Sequence, residues 1–310
     1  MDDWIQHSSA VYGALLAAGD IMILVLADSL RYDFAVRYLK GVFPEESWSS
    51  FKAIETFTAP VLATVVTGTT PDVHGVKWWT DELNPEACKD ILFDHFESWV
   101  TISRLIGNGP KWLPPSRREQ FDFLSPIKWN ALTNNDDDVL EYVGRKWSMA
   151  TNEWWDLIFY HSWLTHGPWG IDCYGPKELP CIKNCDRLMA RMTKEELHRW
   201  YKVGIDDFKT RLMAFKNISN NLETVIVFSD HGEALKDEEE ITGHFKGGEA
   251  LEALSTVPIW INRKEPIPED ISHVTLKDWV IKMYKKYELD NSEYQAYKER
   301  KVRGGGNGKR

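Results

Sequence analysis

The sequence lacks a long uninterrupted apolar run. Its most apolar stretch, residues 11–28, is interrupted by Gly19 and Asp20, so we interpret it as a helix, a turn and a buried strand rather than a membrane span. The N-terminal region also lacks the basic segment and small-residue cleavage pattern that are typical of a signal peptide. We therefore expect no integral membrane segment and a cytoplasmic location.

Positive charge is scarce. The 310 residues include 37 Lys and Arg against 47 Asp and Glu, which gives a formal net charge of −10 at pH 7. A nucleic-acid-binding protein needs a basic face to neutralise phosphates, so we expect no nucleic-acid partner. An anionic small molecule remains compatible with this charge, because a bound metal ion inverts the local electrostatic field.

Cysteine is also rare, and the chain contains four: Cys88, Cys173, Cys181 and Cys185. The last three fall within 13 residues of sequence. Their spacing is wider than the Cys-x2-Cys pairs that are typical of structural zinc sites. Free thiols or a disulfide are favoured over a structural metal, and the sequence leaves the redox state of these cysteines open.

Apolar runs and cap residues predict an alternation of strands and helices. Strands are predicted at 20–28, within 47–60, and at 153–163, 223–230 and 255–262. Helices are predicted at 1–18, 29–43, 58–68, 193–218 and 275–289. This alternation indicates an α/β fold, in which a largely parallel sheet is covered by helices on both faces.

The segment 58–68 is rich in β-branched residues, yet its ends favour a helix. Thr58 is a suitable N-cap residue, Pro60 suits the first turn and Gly68 suits the C-terminus. We therefore predict a helix that begins at Thr58 as its N-cap and stops at the glycine.

Polar residues follow two of the predicted strands. Asp28 ends the first strand, and Asp230 and His231 end the strand at 223–230. In parallel α/β sheets, ligands bind beyond the carboxyl ends of the strands. Two carboxylates and an imidazole suit Zn2+ or Mn2+. A glycine at position 232 lets the chain turn away sharply after these side chains.

A further motif makes this pattern specific. The segment 55–76 contains Thr-Ala-Pro-Val-Leu, then Thr-Gly, then Pro-Asp-Val-His-Gly-Val. This order and spacing resemble the nucleophile segment of the sulfatase-like branch of the alkaline phosphatase superfamily. Three later segments resemble the family's histidine loop, second metal motif and closing segment: 161–170, 229–261 and 271–284. The resemblance spans roughly residues 20–285. It implies an alkaline phosphatase-like three-layer sandwich.

Three departures from the family pattern bear on the chemistry. Thr58 stands where sulfatases carry the cysteine that is oxidised to formylglycine, Leu62 stands at the arginine of that motif, and Ser29 replaces the second acid of an Asp-Asp pair. A threonine at the nucleophile position resembles the phosphodiesterases and the phosphoethanolamine or phosphoglycerol transferases of the superfamily. A working sulfatase is therefore the less favoured interpretation.

The resemblance implies one tightly bound divalent metal, with Zn2+ or Mn2+ favoured over Ca2+ or Mg2+. Its ligands are Asp28, Thr58, Asp230 and His231. Two other histidines receive structural roles, because His74 lies in a turn and His161 lies within an aromatic strand.

The remaining site residues follow from the same resemblance. His166 and His244 bind the substrate or protonate the leaving group, and Lys246 binds the substrate. In two-metal relatives the two histidines instead bind a second ion, together with an acid at the position of Ser162. A serine at this position favours a single metal, and His166 and His244 remain candidates for a second one.

The implied function is metal-dependent hydrolysis of phosphate esters, either phosphodiesters or phosphomonoesters, through a covalent phospho-threonine intermediate. The expected substrate is a small-molecule, lipid or sugar phosphate ester. One catalytic domain is assigned to residues 1–300, with 77–150 and 170–190 as substrate-side insertions, and a disordered basic Gly-rich tail to 301–310. The alternatives are a sulfatase, a phosphoethanolamine- or phosphoglycerol-type transferase, and an inactive binding protein that keeps the fold.

Overall fold

The structure is a computed structural model, and it describes residues 22–78, 80–97, 99–102, 156–167, 189–218, 224–237, 240–245 and 247–290. Several sequence predictions lie outside these residues: the helix over 1–18, the cysteines at 173, 181 and 185, the role of Lys246, and the tail 301–310. Within the described part of the chain, no helix combines the length and apolar character needed to cross a membrane.

Six strands form the central sheet. They are β1 (Met22–Ala27), β2 (Ser47–Lys52), β3 (Trp99–Ile102), β4 (Leu157–Ser162), β5 (Thr224–Ser229) and β8 (Thr256–Ile261). Their order across the sheet is β2-β8-β5-β1-β4-β3. Two shorter strands, β6 (Ala234–Leu235) and β7 (Thr242–Gly243), pair with each other as a separate antiparallel ribbon.

The central sheet is largely parallel, as predicted. Strand β1 pairs in parallel with β4 on one side and with β5 on the other, and β3 continues this direction beyond β4. Strand β8 runs antiparallel to both of its neighbours, β5 and β2. All six residues of β1 are buried, which explains why the strand reads as a continuous apolar run.

Helices cover both faces of the sheet. They are α1 (Tyr32–Tyr38), α2 (Thr58–Thr67), α3 (Pro71–His74), α4 (Lys194–Ile218), α5 (Glu252–Ser255) and α6 (His273–Asp290), with short 3-10 helices at Pro85–Cys88 and Leu92–His95. Alternate residues of a strand point to opposite faces. Leu24 and Leu26 therefore pack with α2 and α6, whereas Ile23 and Val25 pack with α1 and α4. The result is the predicted three-layer α/β sandwich.

The segment 77–150 contributes to the sheet itself. Its described part contains both 3-10 helices and the edge strand β3, which the sequence did not predict. Leu92 and Phe93 are buried in the same core as α2. The chain between these residues and the end of β3 is therefore part of the supporting fold.

Helix α2 begins differently from the prediction. Phe57 is the N-cap and makes no capping hydrogen bond through its side chain, while Thr58 is the first helical residue. The threonine hydroxyl contacts His231, so it serves the site at the end of the sheet rather than the helix terminus. Gly68 ends the helix in the left-handed conformation with φ 70°, as its position predicts.

His74 has the structural role that the sequence predicts. Its Nδ1 atom accepts a hydrogen bond from the Val76 amide at 3.0 Å, and its Nε2 atom lies 3.0 Å from the hydroxyl of Thr64. Burial lowers the pKa of this imidazole to about 4. The ring is therefore uncharged, and its two hydrogen bonds connect α2 to the turn that follows α3.

Candidate metal centre

The sheet register brings the two predicted strand-end acids together. Strands β1 and β5 are neighbours, and Ala27 pairs with Ser229 at their last position. Asp28 and Asp230 therefore leave adjacent parallel strands at the same level. His231 follows directly, so three candidate ligands occupy one end of the sheet.

The side chains of these three residues converge. Among the described residues, Asp28, Asp230 and His231 form the group whose ligand atoms all lie within 4.8 Å of one another. The Nε2 atom of His231 lies 3.2 Å from Asp230 Oδ2 and 4.0 Å from Asp28 Oδ1. All three side chains are buried. This spacing is close enough for one cation to contact all three after small shifts of the side chains.

Thr58 joins the group from a distant part of the chain. It lies at the start of α2, and its Oγ1 atom is 3.1 Å from His231 Nε2. The side chain of Thr58 is buried. All four predicted metal ligands therefore lie at one position in the fold, although they come from three separate segments.

The hydrogen bonds of His231 fix which ring nitrogen faces the group. Its Nδ1 atom lies 2.9 Å from the carbonyl oxygen of Gly232, and a carbonyl can only accept. Nδ1 therefore carries the proton, and Nε2 presents a lone pair toward Asp28, Asp230 and Thr58. A neutral imidazole with this orientation is the form that binds metals. Burial lowers the pKa of His231 to about 3, which keeps the ring neutral.

Asp230 has the environment expected of a cation ligand. Its Oδ1 atom accepts hydrogen bonds from the backbone amide of Ser29 at 3.0 Å and from the backbone amide of His231 at 2.9 Å. Its Oδ2 atom is buried and has no hydrogen-bond partner among the described residues. Burial and the nearby carboxylate of Asp28 raise the pKa of Asp230 to about 7. A divalent cation would satisfy the unpaired oxygen and favour the ionised form, so the residues present fit a metal.

His161 contacts a candidate metal ligand, which the sequence analysis does not predict. The sequence predicts a structural role for this residue. In the structure its Nε2 atom lies 2.9 Å from Asp28 Oδ2, and both side chains are buried. Burial raises the pKa of Asp28, but the electrostatic effect of nearby His166 and the hydrogen bond with His161 outweigh it, so this pKa lies below its ordinary value. The sequence feature that could have indicated this contact is a histidine within the buried, largely apolar strand β4.

Ser29 occupies a strained backbone conformation at the heart of the centre. It has φ 61°, a region that few residues other than glycine adopt. This conformation lets its amide donate to Asp230, while its hydroxyl donates to Asp28 Oδ1 at 3.0 Å. Its carbonyl oxygen accepts a hydrogen bond from Tyr201 at 2.7 Å. Ser29 therefore links the two candidate acidic ligands, Asp28 and Asp230.

Gly232 is required for a reason other than the predicted sharp turn. Its φ lies outside the left-handed region, but a Cβ atom at this position would lie 1.8 Å from the carbonyl oxygen of Ala253. The Gly232 amide also donates to the carbonyl of Leu254 at 2.8 Å. The glycine allows the chain after His231 to pack directly against the backbone before β8.

The two remaining predicted histidines lie beside the centre. The ring of His244 is centred 4.3 Å from that of His231 and 4.8 Å from that of His166. Burial alone would lower the pKa of His244, but the buried carboxylate of Glu233 outweighs this effect and raises it to about 9. Glu233 Oε2 lies 3.4 Å from His244 Nδ1, and the sequence analysis predicts no role for this acid. Lys246 lies outside the described residues.

Comparisons with known proteins support the fold. No protein-family model and no curated protein sequence matches the chain. Its fold is similar to that of the C-terminal periplasmic domain of phosphoethanolamine transferase EptC from Campylobacter jejuni, at 14% identity and a TM-score of 0.56, over 89% of this chain and 95% of that one.

Two further solved structures show the same similarity. The phosphonate monoester hydrolase of Agrobacterium radiobacter gives a TM-score of 0.55 at 14% identity, over 86% of this chain and 74% of that one. The Streptococcus pyogenes phosphoglycerol transferase GacH gives 0.54 at 14% identity, over 94% and 88%. The chain thus shares an alkaline phosphatase-like α/β fold with these structures, as its motifs predict.

Proposed function

We propose that the protein is a metal-dependent hydrolase of phosphate esters, either phosphodiesters or phosphomonoesters, with Thr58 as its nucleophile. The observation that carries the proposal is the placement of the Thr58 hydroxyl 3.1 Å from His231 Nε2, beside the unpaired Oδ2 atom of Asp230. A hydroxyl is a weak nucleophile at neutral pH unless a base or a metal activates it. The hydroxyl is buried beside Asp230, whose Oδ2 atom lacks a hydrogen-bond partner among the described residues. This supports activation by a metal, with Zn2+ or Mn2+ as the favoured ion.

The residues divide the work as follows. Thr58 Oγ1 attacks the phosphorus atom and loses its proton to solvent, while the bond between phosphorus and the leaving alcohol oxygen breaks. His244 or His166 donates a proton to that oxygen. Water then attacks the same phosphorus atom, the bond from phosphorus to Thr58 Oγ1 breaks, and Oγ1 recovers a proton. The product is phosphate from a phosphomonoester, or a phosphate monoester from a phosphodiester. A divalent cation, when bound by Asp28, Thr58, Asp230 and His231, lowers the pKa of the hydroxyl and neutralises charge on the phosphoryl oxygens.

A transferase is the second candidate. In that case an acceptor alcohol takes the place of water in the second step, and the attack on phosphorus is unchanged. The structural similarity to a phosphoethanolamine transferase domain and to a phosphoglycerol transferase supports this alternative. Similarity to a phosphonate monoester hydrolase supports hydrolysis equally. Adding glycerol or ethanolamine to the assay separates the two, because a transferase forms a new ester at the expense of free phosphate.

The proposal is tested with nitrophenyl esters of phosphate, a phosphodiester, a phosphonate and sulfate, each with Zn2+ or Mn2+. We expect metal-dependent turnover of at least one phosphoester. Thr58→Ala is expected to lower kcat by roughly 10³-fold or more. Mass spectrometry of the quenched wild-type reaction is expected to detect one phosphoryl group on the peptide that contains Thr58.

Thr67→Ala is the matched control for the nucleophile variant. Thr67 is also a buried threonine of α2, and its hydroxyl donates to the carbonyl of Ala63 at 2.8 Å, away from the centre. This variant should keep its activity. Turnover of the sulfate ester without phosphoester turnover would favour a sulfatase. Tight metal binding with no turnover of any ester would favour an inactive binding protein.

A further inference from the structure

The ribbon of β6 and β7 places an acid directly opposite a site histidine. Ala234 pairs with Gly243 and Leu235 pairs with Thr242. Glu233 precedes the first strand and His244 follows the second, so they occupy the next position of the same antiparallel register. Their proximity is therefore imposed by the backbone pairing.

The side chains of this pair are in contact inside the protein. Glu233 Oε2 lies 3.4 Å from His244 Nδ1, and the Glu233 side chain is only 2% exposed. A buried carboxylate is unfavourable unless a positive or donating group satisfies it. Gly243 lies beside the acid and has φ 82°, a left-handed conformation that favours glycine.

The ribbon has other anchors and does not need this side chain to hold its shape. Arg31 Nη1 donates to the carbonyl oxygen of Glu233 at 3.5 Å, and the same guanidinium pairs with Asp237 on the connecting loop. The Lys236 amide donates to the carbonyl of Ile241 at 2.9 Å. The Glu233 carboxylate is thus directed at a ring that the substrate would meet, while the backbone is held by separate contacts.

We propose that Glu233 is a positioning residue that holds Nδ1 of His244 so that Nε2 faces the phosphate ester. This inference rests on the proposed function, in which His244 meets the leaving group. Imidazole has two nitrogens, and the partner of one decides the orientation and proton of the other. Without the acid, the ring is free to rotate about its side-chain bonds, and the hydroxyl of Ser29, 3.5 Å from the same nitrogen, is a weaker alternative partner.

The kinetic test compares Glu233→Ala, Glu233→Gln and His244→Ala on the phosphoester that the wild-type protein turns over best. Glu233→Ala is expected to lower kcat about 10- to 100-fold with little change in KM or bound metal. Glu233→Gln keeps an oxygen that accepts from Nδ1 and should recover most of this loss. In the His244→Ala background, Glu233→Ala should have no further effect, because the two residues act as a unit. An equal loss in both backgrounds, or a loss of bound metal, would overturn the proposal.

A spectroscopic test does not depend on turnover. In 15N-histidine-labelled protein, the Nδ1 proton signal of His244 is identified by its absence from the His244→Ala variant. This signal is expected in the wild type and in Glu233→Gln, and it is expected to be lost in Glu233→Ala. Glu240→Gln is the control, because this acid lies on the same loop with its side chain 91% exposed. An unchanged signal in Glu233→Ala would refute the positioning role, whereas absence of turnover in the wild type with the expected signals would refute only the proposed function.

Discussion

His161 lies behind the proposed metal centre and supports it through Asp28. Replacing His161 with Ala removes the donor that lies 2.9 Å from Asp28 Oδ2. The two side chains are 0% and 1% exposed, so bulk water has little access to replace the lost hydrogen bond. Loss of such a supporting partner lowers metal affinity about 10- to 100-fold, which corresponds to roughly 1.4–2.7 kcal/mol of binding free energy.

The measurement is the Zn2+ dissociation constant, obtained by competition with a chromophoric chelator. His161→Gln should retain most of the affinity, because its amide nitrogen donates from nearly the same place as Nε2. His95→Ala is the control, since His95 Nε2 makes a similar contact with Asp90 at 2.7 Å but at an exposed position. If His161→Ala binds Zn2+ as tightly as the wild type, the supporting role of His161 is wrong.

Three further predictions concern the scaffold around the centre. Gly232→Ala forces the chain away from the Ala253 carbonyl and should lower the metal affinity, measured by chelator competition. It should also lower the free energy of unfolding by about 1–3 kcal/mol, measured by urea unfolding. Lys277→Met removes a buried ammonium that lies 2.8 Å from the Asp90 carbonyl and 2.7 Å from its carboxylate, and should lower the free energy of unfolding by about 2 kcal/mol. Burial lowers the pKa of His273 to about 4 from 6.5. Below pH 6.5 the unfolded chain therefore binds a proton that the folded protein excludes, and stability should fall by up to about 3 kcal/mol as the pH drops to 4.

Each of these predictions has a control or a contrary outcome. Wild-type Zn2+ affinity and stability in Gly232→Ala would show that the close approach to the backbone before β8 is not required. Lys286→Met should change stability little, because its contact with Glu265 is on the surface of the same helix. In His273→Gln the loss of stability between pH 6.5 and 4 should be smaller by the same amount. An unchanged pH dependence would contradict the assignment to His273.

The strands that carry the centre could be predicted from sequence, but part of the sheet could not. β1 and β5 are continuous apolar runs that end in polar residues, and both were placed within two residues of their observed ends. The run that forms β8 has the same apolar character, yet β8 is antiparallel to its neighbours. The direction of a strand depends on how the elements are connected, so it could not be predicted from the residues of the strand.

The sequence pattern predicts Asp28, Asp230 and His231 as candidate ligands because they follow strands, and the family resemblance adds Thr58. The contacts of His161 and Glu233 with this centre were not predicted, since they depend on strand register. His161 contacts Asp28 because β4 lies beside β1, and Glu233 contacts His244 because two-residue strands align them. Pairing of this kind is decided by tertiary structure and has no local signature.

The proposed function requires a protein with a net charge of −10 to hold an anionic ester, and the buried groups indicate how their charges are balanced. Leu62, which stands where the motif that the sequence resembles has an arginine, is buried in the core and contributes no charge. Asp28 and Asp230 offset a divalent cation, and the carboxylate of Glu233 faces the raised-pKa imidazole of His244. Each buried pair or trio is then close to neutral, so it avoids an uncompensated charge in a low-dielectric interior. Attraction for the ester would then depend on a bound cation and the imidazole of His244 both facing the ester. The residues that hold the metal ligands and this imidazole in place are therefore important.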